Sequence, residues 1–145
     1  VITVQEPTEA YNYLMPGQLN FAHTAVVETS EPLQTSAATT SSVEVTEYTG
    51  PEITLEVTRS KPGFLVLSET YYPAGWKATI DGEETQVYKT NYFQRGLQIP
   101  EGEYTVELHF LPDRYVLGVR LEWIAVIAQL LIAGFWGLTW FKNRE

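Results

Sequence analysis

Residues 76–87 read WKATIDGEETQV, and this stretch decides the fold class. Trp76, Ala78 and Ile80 fall on one side of a two-residue period while Lys77 and Thr79 fall on the other, the pattern of a strand with one buried face. Asp81-Gly82 then supplies two residues that tolerate positive φ, as the tight turn between antiparallel strands requires, and Thr85 and Val87 carry the alternation back. A β-hairpin is predicted here, with Trp76 assigned to the core by the company it keeps on its strand face.

The same period extends outward in both directions. Val43 and Val45 alternate with Glu44 and Thr46, and Ile53, Leu55 and Val57 alternate with Glu52, Thr54, Glu56 and Thr58, which predicts two half-buried strands. Residues 64–67, FLVL, are apolar at every position, as in a central strand covered on both faces. Beyond the first hairpin, residues 93–99 and the alternating Tyr104, Val106, Leu108 and Phe110 predict a second hairpin across Glu101-Gly102. Many short strands joined by Gly and Pro turns indicate a mainly β chain folded as an antiparallel β-sandwich. Toward the N-terminus, Pro7 and Thr8 precede Ala10, Tyr11 and Leu14 at helical spacing, and Pro16-Gly17 stops the run, which predicts one short helix. Residues 24–28, TAVVE, read as a strand, and residues 29–42 are a Ser/Thr-rich surface loop with little to bury.

The character of the chain changes near its C-terminus. Residues 121–141 read LEWIAVIAQLLIAGFWGLTWF with Glu122 as the single charge, and at about 1.5 Å rise per residue they cover the roughly 30 Å hydrocarbon core of a bilayer. A helix that is apolar all round cannot be hidden in so small a domain, so a C-terminal transmembrane helix over residues 118–141 is predicted, with residues 1–117 forming the sandwich domain and 142–145 a short tail. Trp123, Trp136 and Trp140 lie where interfacial aromatic anchors belong, and Lys142 and Arg144 follow as charged anchors. Arg114 and Arg120 precede the span, so the positive charges at its two ends are tied and do not orient it. Gln129 and the Ala133-to-Gly137 spacing suit packing against other transmembrane helices.

Composition narrows the function classes. The 145 residues allow one domain plus one span, and carry 9 Lys and Arg against 18 Asp and Glu, a formal net charge of −9. Such a chain repels nucleic acid, which is excluded as a partner. With no cysteine, thiolate zinc sites and cysteine nucleophiles are excluded. The first residue is Val1, with no secretory signal in the opening VITVQE, which suggests a piece of a longer exported protein.

Residues 68–84, SETYYPAGWKATIDGEE, with residues 87–112, VYKTNYFQRGLQIPEGEYTVELHFLP, leading through Gly118 into a membrane helix, resemble the C-terminal region of the bacterial YfhO membrane protein family. The resemblance covers the chain from about Val43 to its end, and the helix followed by TAVVE is similar to the segment that leads into it. Ala74 departs from the pattern by adding one residue between Pro73 and Gly75. Such proteins are polytopic and related in architecture to lipid-linked-sugar-dependent glycosyltransferases, some of which add sugars to cell-envelope polymers. The resemblance implies a sandwich outside the cytoplasm, a cytoplasmic C-terminus in the bacterial cell membrane, and a catalytic carboxylate in a loop between early membrane helices, outside these residues.

No catalytic residue, metal site or cofactor is therefore predicted within the chain. His23 and His109 lie far apart in sequence, and no carboxylate pair sits on flanks that would raise one pKa. Asp81, Glu83 and Glu84 at the hairpin tip are read as solvating the turn rather than holding Ca²⁺. The candidate ligand-binding residues are Tyr71 and Tyr72, whose ring faces suit the C–H face of a sugar, with Asn91 and Arg95 as polar partners for a glycan hydroxyl or phosphate. The expected partners are the lipid bilayer, the other transmembrane helices of a parent protein and a glycan or envelope polymer, the domain helping to position that acceptor. A second reading of the same residues is a single-span surface-anchored module that binds glycan or protein without any enzymatic role.

Overall fold

The computed structural model describes residues 1–17 and 19–142, and the chain divides into two compact units, Val1–Phe110 and Leu111–Glu145. In chain order the first unit holds β1 (Ile2–Val4), α1 (Pro7–Leu14), β2 (Val26–Glu28), β3 (Ser41–Tyr48), β4 (Glu52–Arg59), β5 (Gly63–Thr70), β6 (Trp76–Ile80), β7 (Glu83–Thr85), β8 (Tyr88–Thr90), β9 (Gln94–Ile99) and β10 (Gly102–Phe110). These strands form two five-stranded sheets, β1-β2-β8-β9-β5 and β3-β4-β10-β6-β7. The β1–β2 pair is parallel and every other pair is antiparallel.

The sheets meet through the side chains that the two-residue period singled out. Ile53, Leu55 and Val57 of β4, Ala78 of β6 and Val106 and Leu108 of β10 pack as one buried cluster with Leu97 and Ile99 of β9, while Leu65, Leu67, Trp76 and Ile80 close its margins. The chain is thus mainly β, a sandwich of two largely antiparallel sheets with a short N-terminal helix. A smaller cluster of Val4, Ala10 and Val26 seats α1 on β1 and β2. A third, Ala25, Val27 and Tyr88, is closed by Phe64 and by Leu33 from the loop after β2. The helix starts at Pro7, whose missing N–H costs nothing in the first turn. It stops before Gly17, which sits at φ 65°.

The first hairpin forms as its sequence requires. Asp81 at φ 51° and Gly82 at φ 84° turn β6 into β7, and the Asp81 carboxylate also accepts the Thr105 N–H at 2.8 Å. The second does not form. Strand β9 pairs with β5 and β8, whereas β10 pairs with β4 and β6, so residues 100–101 carry the chain from one sheet to the other. Pro100 has no N–H to offer a ladder and Gly102 stands at φ 141°. The apolar residues of the two strands consequently face each other across the core instead of lying side by side.

Two further expectations are corrected. The apolar run in β5 belongs to an edge strand, paired on one side with β9, where Leu65 and Leu67 face the sandwich and Phe64 leans on Tyr88. Strand β3 is exposed along its whole length rather than half-buried. It is the other sheet's edge, and Val43 and Val45 remain 47% and 58% exposed. The Ser/Thr-rich loop gives way to this strand at Ser41.

In the second unit, α2 runs from Asp113 to Lys142. Its Leu117–Trp136 portion has a mean hydropathy of 1.6 with no residue buried.

Candidate functional site

Strand β5 ends at Thr70, and the Tyr71 N–H donates to the Phe93 carbonyl at 2.6 Å, tying the strand's exit to the turn between β8 and β9. Tyr71 thereby becomes one wall of a cleft of about 490 Å³ whose other lining residues include Gln5, Glu28, Ser30, Gln86 and Lys89. Glu28 and Lys89 stand opposite each other in the β2–β8 ladder, and their side chains form an ion pair at 2.8 Å with Glu28 largely enclosed. Partial burial makes the attraction in this pair stronger than in an exposed one, because water screens it less. Tyr88 lies at the margin of the cleft, and its hydroxyl is held above the usual tyrosine range by burial first and by the nearby Glu31 carboxylate second. An aromatic face, two side-chain amides, a hydroxyl and an oriented ion pair are the complement of a ring bearing several hydroxyl groups.

The other three predicted residues are placed elsewhere. Tyr72 sits in the turn that Gly75 and Trp76 close by donating their N–H groups to its carbonyl, and its ring lies 6.1 Å from that of Phe110. Gly75 makes this packing possible, since a Cβ there would overlap both rings. Asn91 is buried at φ 47° and acts as a pin. Its carboxamide oxygen accepts the Val26 N–H at 2.9 Å, its amide nitrogen donates to Gln94 at 2.8 Å, and its backbone N–H donates to the Val26 carbonyl at 2.7 Å. Arg95 is 1% exposed, inside the sandwich, with its guanidinium 3.8 Å above the Trp76 ring. It is ion-paired with Glu69, which also accepts the Tyr48 hydroxyl at 2.7 Å. Burial lowers its proton affinity from the ordinary arginine value, partly opposed by Tyr48. The structure therefore brings Tyr71 to the cleft and uses Asn91 and Arg95 to brace the strands around it.

Glu28 and Lys89 are the residues that sequence reading missed. They are 61 positions apart, and nothing in either local pattern announces that β2 and β8 will be neighbours. The histidines also fall apart. His109 faces Glu52 at 3.8 Å on one sheet, and His23 lines a different cleft. Among the described residues no cluster of three or more His, Cys, Asp or Glu has metal-holding geometry.

Of the membrane anchors, Trp123, Trp136 and Trp140 are 65%, 71% and 57% exposed on α2. The Lys142 side chain and Arg144 lie outside the described residues. At about 1.5 Å per residue, the 20 residues of Leu117–Trp136 match the roughly 30 Å of a bilayer's apolar core. The family described as "Bacterial membrane protein YfhO" matches residues 11–121, from within α1 through both sheets into α2. The chain belongs to the YfhO family. No curated protein and no solved structure matches it. Family membership and the apolar helix together identify it as a membrane protein, with the sandwich carrying the cleft and α2 long and apolar enough to cross the bilayer.

Proposed function

We propose that this chain is the extracytoplasmic accessory domain and last span of a YfhO-family glycosyltransferase acting on cell-envelope polymers. In this reading the sandwich positions a glycan acceptor, and the catalytic carboxylate resides elsewhere in the parent protein. The observation that carries it is the Tyr71 cleft, where an aromatic ring stands beside the Glu28–Lys89 pair. A sugar ring stacked on Tyr71 would present its equatorial hydroxyls to donors and acceptors that already hold their geometry, so little side-chain ordering remains to be done on binding. Residues 1–117 then lie outside the cytoplasm, with Lys142 and Arg144 on the cytoplasmic side.

The test is the sugar content of envelope polymers in cells carrying the full-length protein. Tyr71→Ala and Lys89→Ala are each expected to lower it by tenfold or more at unchanged protein level, while Tyr72→Ala, which alters only the Phe110 packing, lowers it much less. Unchanged sugar content in the Tyr71→Ala and Lys89→Ala cells would remove the cleft from acceptor binding.

A further inference from the structure

A second cleft in the sandwich unit, about 750 Å³ in volume, lies between the turn before β2, the loop before β3 and the start of β5. Its lining residues include Phe21, His23, Thr35, Ser36, Arg59 and Phe64. The absence that matters is a carboxylate. The chain has 18 Asp and Glu, yet among the described residues none lines this cleft.

Arg59 is held there without an acidic partner. Its Nε donates to the Lys61 carbonyl at 3.1 Å and its Nη1 to the Ser41 hydroxyl at 3.4 Å, and no ion pair involves it among the described residues. The guanidinium lies against the backbone of Gly63, where a Cβ would occupy its space. Gly63 is an ordinary strand position with no left-handed φ, so its lack of a side chain serves the arginine rather than the backbone. A planar cation fixed by a carbonyl, a hydroxyl and a glycine shelf keeps donors free for a planar or tetrahedral anion. Phe21, 55% exposed, lines the same cleft.

We propose that this cleft binds an anionic sugar, through its carboxylate or phosphate on Arg59 and its ring against the phenylalanine wall. The site is separate from the Tyr71 cleft and does not depend on it. An anionic unit would be gripped in a domain whose overall charge otherwise repels it, which makes the cleft selective for ligands carrying charge at a defined position.

The experiment is a binding titration of the full chain in detergent micelles or nanodiscs, with glucuronate, glucose 1-phosphate and neutral glucose as the probes. Wild type is expected to bind at least one of the two anionic sugars at least tenfold more tightly than glucose, the two anionic probes separating carboxylate from phosphate recognition. Arg59→Ala is expected to abolish that preference. Gly63→Ala leaves the charge in place but displaces it, and is expected to weaken anion binding by fivefold or more while glucose binding is unchanged; it serves as the deciding variant if Arg59→Ala fails to fold. Equal affinity for charged and neutral sugars, no binding of any probe, or full anion affinity in a folded variant would overturn the proposal. Tyr71→Ala is expected to leave the Arg59-dependent preference for the anionic probes in place, so loss of the acceptor cleft and loss of the anion cleft give different results.

Discussion

Arg95 shows how much the interior of this sandwich tolerates when geometry is good. A guanidinium stacked on Trp76 and paired with Glu69 is sheltered from the full penalty of burying a lone charge, although its Nε and Nη1 have no hydrogen-bond partner among the described residues. Removing Glu69 would leave that charge uncompensated, which is far costlier than removing the pair together. Tyr88 gives a measurable consequence of burial at a single residue. Its proton is held more tightly in the fold than in the unfolded chain, where the ordinary value is 10.0, because burial and the Glu31 carboxylate both disfavour the phenolate. The folded state therefore binds more protons once pH exceeds about 10, and stability that is fully present below that value is lost as pH rises through the folded pKa. Chemical denaturation of the chain between pH 9 and 11 is expected to show a steeper fall for wild type than for Tyr88→Phe. Parallel curves for the two proteins would show that Tyr88 does not titrate differently on folding.

At the scale of elements, the faces of the strands were legible in the sequence and their neighbours were not. The two-residue period placed Leu55, Val57, Ala78, Val106 and Leu108 in the core correctly, because alternation reports only which side of a strand is buried. It is silent on whether the next strand lies in the same sheet, so the path through Pro100 to Gly102 read as a hairpin where the chain in fact switches sheets. Edge position is equally invisible. Val43 and Val45 alternate like buried residues, yet β3 ends its sheet, and the register shift between Val45 and Glu47 together with Glu44 and Glu47 discourages another strand from adding there. The β6–β7 hairpin was legible because its turn chemistry is local. Gly82→Ala, forcing a side chain onto φ 84°, is expected to cost about 1–2 kcal/mol. At about 4–8 °C per kcal/mol for a domain of this size, a Tm lowered by roughly 5 °C or more should follow in a thermal melt, and an unchanged Tm would mean that the turn relaxes into another type. The candidate site fared as the elements did. Tyr71, beside a local turn, was singled out in the sequence and lines the cleft. Glu28 and Lys89, joined only by the β2–β8 pairing, were not.

For the whole molecule, the two units divide the work by solvent. The sandwich unit buries its apolar residues between its own sheets, while α2 leaves Leu130, Leu131, Ile132 and Phe135 at least 60% exposed, a surface that water does not tolerate over such a length and lipid does. Membership of a bacterial membrane protein family agrees with that division. The central proposal is that the sandwich stands outside the cell membrane with α2 returning the chain to the cytoplasm, and labelling of single cysteines in intact cells tests it most directly. The region contributes no native cysteine, so Glu84→Cys at the exposed hairpin tip and Arg144→Cys beyond the span report without background from it. In the full-length protein, a membrane-impermeant maleimide is predicted to label position 84 in intact cells and position 144 only after permeabilisation; labelling of 144 with protection of 84 would contradict the account.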